Sequence, residues 1–117
     1  MTTFAVPVLR VDDAAAAAQW YQRLGFVEEW RHQFEPGMPL YIGLAHGETA
    51  RLHLSEHRGD ARPDTLVYLY VPDVDAVAEA CGGVTVEDLP WCREFALADP
   101  WGNRLRVGTP VGQGSAG

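Results

Sequence analysis

The sequence predicts an α+β fold in which two βαβββ modules form curved sheets around a cleft, and three observations carry that expectation. A strand, a capping aspartate, a short helix and a glycine stop follow one another twice, with Val11 and Val71 equivalent and 60 positions apart. Each of these units is succeeded by further short apolar stretches of strand type. The run Asp99, Pro100, Trp101, Gly102, Asn103 reads as a turn between the last two strands, where Pro fixes one dihedral angle and Gly admits a positive one.

Taken in order, Phe4 to Arg10 alternates as a strand, and Asp12 and Asp13 stand ready to cap a helix that begins in the alanine run Ala14 to Ala18. Ala17, Tyr21 and Leu24 fall at helical spacing and form a core stripe, and Leu24 with Gly25 closes the helix. Strands are expected at Phe26 to Trp30, Leu40 to Leu44 and Arg51 to Ser55. Arg58 to Asp64 links the modules. In the second, Leu66 to Val71 is a strand, Asp73 a cap, Val74 to Cys81 a helix and Gly82 with Gly83 its stop. Strands near Val84 to Glu87, Glu94 to Ala98 and Arg104 to Val107 complete it. One domain is expected over residues 1–111, with modules of about 1–57 and 64–111 and a disordered tail over 112–117.

A βαβββ module leaves one sheet face uncovered, because its single helix packs on the other. Alternation assigns the faces. Val67, Leu69 and Val71 should meet a helix, which turns Leu66, Tyr68 and Tyr70 to the concave side; Leu52 and Leu54 should lie beneath, with Arg51, His53 and Ser55 lining the cleft. The bland alternative is that Tyr68 and Tyr70 are ordinary strand aromatics, a residue type that sheets favour.

With 117 residues, 47% of them hydrophobic, the chain can bury about two-thirds of its unfolded surface, enough for one core. Its net charge of -7 and its lack of lysine argue against nucleic acid, which is bound by cations that displace counterions, and favour a cationic small molecule. The first residues show no signal-peptide pattern and no segment reaches the roughly 20 apolar residues that span a bilayer, so a cytoplasmic protein without a membrane partner is expected. Cys81 and Cys92 lack CxxC spacing and read as packed, reduced side chains.

The segments AVPVL at Ala5 to Leu9, WYQRLGF at Trp20 to Phe26, PDTLVYLYV at Pro63 to Val71 and PWCREFALADPWGN at Pro90 to Asn103 resemble bleomycin resistance proteins of the glyoxalase, bleomycin-resistance and dioxygenase (vicinal oxygen chelate) superfamily. The first and last segments are the narrower part of the match. The resemblance implies a homodimer with clefts between subunits and an N-terminal strand exchanged around a hinge, here Pro7. It implies binding of a bleomycin-like or other aromatic, cationic natural product, with antibiotic resistance by sequestration. Carried over, Tyr68 and Tyr70 form the aromatic wall, Trp91 its rim, and Phe34, Glu35 and their acidic neighbours Glu28 and Glu29 further contacts.

Catalytic members of that superfamily hold a divalent metal on four concave strand positions, which here align with Val6, His53, Leu66 and Arg106. Only the histidine can coordinate, so no metal and no cofactor are expected. His53 and His57 have HxxxH spacing, but residues four apart on a strand stand roughly 13 Å apart. Glu94, expected on the concave face, is a conceivable general base without a partner, and is more readily a hydrogen-bonding ligand contact. A nucleophilic Ser55 or Cys92 lacks an activating neighbour. The expectation is a binding protein; the competing readings are a small enzyme of the same fold and an accessory protein of natural-product biosynthesis.

Overall fold

The computed structural model describes residues 3–111. Its strands are β1 (Val8–Arg10), β2 (Val27–Gln33), β3 (Leu40–His46), β4 (Ala50–Ser55), β5 (Leu66–Tyr70), β6 (Glu87–Asp88), β7 (Cys92–Ala98) and β8 (Arg104–Pro110), with helices α1 (Ala14–Tyr21) and α2 (Val74–Ala80). The sheets run β1-β4-β3-β2 and β5-β8-β7-β6. Each opens with a parallel pair, β1 with β4 and β5 with β8, and continues antiparallel. The twofold repeat expected from the sequence is therefore the architecture. The tail over 112–117 lies outside the described residues.

Both helices start as their sequences require. Asp13 and Asp73 adopt extended backbone, and their carboxylates accept from the amides of Ala16 and Ala76 at 3.0 and 3.2 Å. Glu56 adds a tertiary cap to α1, accepting from Ala14 N at 2.8 Å and from Leu40 N at 2.9 Å, which ties helix, hairpin and linker together. Past Tyr21 the helix tightens into a 3-10 turn, Gln22–Leu24, which Gly25 ends at φ 98°. A Cβ at that glycine would come within 2.5 Å of the His46 ring, so both conformation and space demand Gly.

One core runs through both modules. Leu9, Ile42, Leu44 and Leu54 of the first sheet and Phe95, Leu105 and Val107 of the second are buried with Tyr21, Leu24 and Val74 from the helical layer. Polar ties lock the modules across it: the Tyr21 hydroxyl donates to Asp99 at 2.8 Å, and Asn103 Nδ2 donates to the Arg10 carbonyl at 2.9 Å. The helix-facing sides of both sheets are thus consumed, and their other faces stay bare. The Cα radius of gyration, 15.1 Å, exceeds the about 13 Å of a compact domain this long, and the shape is drawn out to 51 × 34 × 22 Å.

Several strands differ in their bounds from expectation: β3, β7 and β8 each run two or three residues further, to His46, from Cys92 and to Pro110, and three other differences have a local cause. β1 begins at Val8 rather than Phe4, because Pro7 has no N–H to place in a ladder, although its carbonyl still accepts from His53 N at 3.0 Å. β2 runs on to Gln33, supported by its pairing with β3 as far as Leu40. β6 is Glu87–Asp88 rather than Val84 to Glu87, since the amides of Gly83 and Val84 are still bonded to the Ala78 carbonyl at the end of α2.

Candidate functional site

On the second sheet the alternation expected from the sequence holds: Val67 and Leu69 are half-buried toward the core, and Leu66, Tyr68 and Tyr70 are exposed on the other face. The Tyr68 and Tyr70 rings stand 5.1 Å apart, tilted by 41°. The Tyr68 hydroxyl donates to Glu94, and Cys92 Sγ lies 3.3 Å from that hydroxyl and 3.4 Å from Glu94 Oε1. Cys92, with Glu94 behind it, pushes the Tyr68 phenol well above its ordinary range. Trp91 precedes β7 and is exposed. Arg93 points away and is held by Asp75 and Asp88 at 2.7 and 2.6 Å, so no cation adjoins the buried Cys92 thiol from that residue.

The first sheet carries an aromatic face that the sequence reading missed. Trp30 lies parallel to Tyr41 at 5.8 Å, 7° between planes, and both meet His53 edge to face at 5.0 and 5.2 Å. Tyr41 Oη and His53 Nδ1 are 2.7 Å apart and share a hydrogen bond. Gly43 is the floor of this cluster: a Cβ there would sit 2.3 Å from the Trp30 ring. A glycine inside a strand marks such a close approach, and that was the available signal. A bulge between Glu28 and Trp30 changes the parity of β2 and brings Trp30 over Gly43. Burial lowers the His53 pKa below its usual value, against an opposing pull from Glu29.

The remaining site candidates are distributed as follows. His53 lies on the bare face, half-buried, as expected. Ser55 shares that parity but does not line an open cleft: it is fully buried, donates to Asp60 at 2.7 Å and accepts from His57 N at 3.1 Å, because the linker folds back over the end of β4. Arg51 is half-buried and bonded to Glu29 at 3.0 Å, with its guanidinium 5.5 Å from the Phe4 ring centre. Phe34, just past β2, is 80% exposed and meets His32 edge to face at 5.7 Å. Glu35 lies in the following turn, its carbonyl accepting from Met38 N at 2.9 Å. Glu28 is occupied by Arg31 through two bonds of 2.7 and 2.8 Å, which hold its carboxyl below the ordinary range.

Tyr68, Tyr70 and Glu94, with Trp91 just ahead of β7, therefore belong to the second module, and His53, with Phe34 and Glu35 just past β2, to the first. Among the described residues no hydrogen bond, ion pair or ring contact joins the two groups within the chain. Of the four positions aligned with metal ligands, His53 and Val6 lie at the first sheet, Leu66 and Arg106 on the second. Among the described residues there is no cluster of three His, Cys, Asp or Glu side chains. No helix of the described residues is long and apolar enough to cross a membrane.

Two βαβββ modules that share one core, each with one bare sheet face, define a class of small fold. A family model described as "Glyoxalase superfamily protein" matches residues 2–113, and the chain belongs to that superfamily. No curated protein matches it in sequence. Among solved structures, the bleomycin-binding protein of bleomycin-producing Streptomyces verticillus, solved with copper(II)-bleomycin, is 29% identical, with 93% of this chain and 97% of that one covered and a TM-score of 0.67. TnmS3, an antibiotic-binding protein from Streptomyces sp. CB03234, is 22% identical, with 95% and 98% covered and a TM-score of 0.75. The bleomycin resistance determinant encoded on transposon Tn5 is 22% identical, with 94% and 99% covered and a TM-score of 0.67.

Proposed function

We propose that this protein is a metal-free binder that sequesters a cytotoxic natural product with a planar aromatic part, and does so in the cytoplasm as a homodimer. The observation that carries the reading is the pair of bare aromatic faces, Trp30 with Tyr41 and His53 on one sheet and Tyr68 with Tyr70 on the other. Exposed aromatics of this number on opposed modules are a binding surface in search of cover. A second copy that lays its first module over this chain's second would enclose both faces in two equivalent clefts. Residues 3–6, which form no strand within the chain, would then cross to the partner. The similarity to antibiotic-binding structures supports the same reading.

Sequestration needs no reacting group, and the candidates for one are poorly placed. Cys92 is buried, Ser55 is buried and bonded, and Glu94 is engaged by the Tyr68 hydroxyl. Stacking between rings adds about 0.5 to 1.5 kcal/mol per contact beyond area burial, so several contacts give useful affinity without a covalent step. The test is titration of the protein with bleomycin and with other planar antibiotics, followed by tryptophan fluorescence, with mass analysis of the recovered ligand. Quenching with unchanged ligand is expected. Turnover of the ligand would overturn the reading in favour of a small enzyme.

A further inference from the structure

The bare face of the second sheet is a three-by-three array set by strand register. Tyr70, Gly108 and Glu94 form one row, Tyr68, Arg106 and Ala96 the next, and Leu66, Arg104 and Ala98 the third. Arg106 stands at its centre. It is exposed, and among the described residues it has no carboxylate within 4.0 Å and no side-chain hydrogen bond. Its neighbours explain this. Arg104 is balanced by Asp64 at 3.0 Å, while the carboxylate of Glu94 is turned to the Tyr68 hydroxyl instead of the guanidinium. Ala96 and Gly108 flank Arg106 with almost no side chain, and a depression of about 280 Å³ lies against it, lined also by Leu66, Ala98 and Arg104.

A guanidinium left unpaired at the centre of a face whose other charged side chains, Glu94 and Arg104, are already engaged, on a chain of net charge -7, is a specific electrostatic feature. Guanidinium groups prefer planar oxygen anions, which they engage through two parallel N–H donors, and they stack on ring faces. We infer that Arg106 anchors an anionic oxygen group, a carboxylate or ionised phenol, carried on the planar ring system that lies against Tyr68 and Tyr70. This inference rests on the binding reading above and reverses the charge that composition alone suggests for the ligand. The overall negative charge repels an anion at a distance, so the selectivity must come from this one contact.

Two matched probes test it: anthraquinone-2-carboxylate and the neutral 2-(hydroxymethyl)anthraquinone, titrated by tryptophan quenching into the intact protein. The carboxylate is expected to bind at least tenfold more tightly. Arg106→Gln should bring the two within about twofold, Arg106→Lys should keep part of the preference, and Arg104→Gln should leave it, since that charge is already compensated. Tyr70→Ala, which leaves the Tyr68 bond to Glu94 in place, should weaken both probes alike. Equal binding of the two probes by the natural protein overturns the anion anchor and leaves the binding reading standing. Binding of neither overturns both. If Arg106→Gln keeps the preference but loses the dimer in sedimentation, Arg106 pairs with a second copy and the inference is wrong.

Discussion

At the scale of the residue, the most informative group is His53. Its imidazole is held below the ordinary pKa chiefly by burial against Trp30 and Tyr41, so the folded chain favours the neutral ring. The unfolded chain takes up its proton near pH 6.5, and the folded one only at lower pH. The stabilisation is therefore complete above about pH 6.5 and is lost as pH falls through the folded value. NMR titration should show His53 protonating below 6.5, and His53→Gln should flatten that part of the stability profile. Gly43→Ala should leave a folded protein whose Trp30 ring is displaced, and aromatic ligands should quench it less; unchanged quenching would remove the first sheet from the site. At the module junction, Tyr21→Phe removes the hydroxyl donor to Asp99, whose carboxylate still accepts from Trp101 N, Asn103 N and Asn103 Nδ2. A cost of about 1 to 2 kcal/mol in urea unfolding is expected. Asn103→Ala leaves the Arg10 carbonyl and Thr65 amide unpaired as well and should cost about 2 to 4 kcal/mol.

At the scale of the element, the helices are short, eight and seven residues, and cannot persist without their caps and tertiary contacts. Asp13→Ala and Asp73→Ala should each cost about 1 kcal/mol, and because they sit in different modules the double variant should cost close to the sum. A shortfall would mean that one module opens before the other. Strands show how far a period-two pattern can be trusted. On β5 the parity read from the sequence placed Tyr68 and Tyr70 on the bare face, since nothing interrupts that strand. On β2 one bulged residue at Glu29 breaks the period of two, and Trp30 turns to the face shared by Gly43 and His53. Ser55 fails for a different reason: its parity is right, but the linker covers it.

At the scale of the whole molecule, bare faces on both modules are the dominant fact. Tyr68 and Tyr70 are 39% and 54% exposed and Trp30 43%, so each module leaves an aromatic patch open to a ligand or a second copy. Sedimentation should give a dimer at micromolar concentration. Tyr68→Ala or Tyr70→Ala should weaken ligand binding by about 1 to 3 kcal/mol while the dimer persists, measured by fluorescence titration beside sedimentation. A monomer that binds with full affinity would mean that one sheet suffices and that the two aromatic faces act separately.

The sequence by itself determined the two-module repeat, the helix starts at Asp13 and Asp73, the core stripe Ala17, Tyr21 and Leu24, and the face of β5, because each depends on local backbone preference and on the period of one element. The family resemblance also came from the sequence, through the segments around Pro7, Gly25 and Asp99 to Asn103, where the helix cap at Gly25 and the turn at Asp99 to Asn103 need particular residue types. Only the tertiary structure decided that Trp30, Tyr41 and His53 meet over Gly43, that Ser55 is sealed by Asp60, and that Glu94 turns to Tyr68 and leaves Arg106 unpaired. Those outcomes hang on a bulge, a folded linker and strand register. Each brings together residues remote in sequence, whose individual preferences carry no information about their partners.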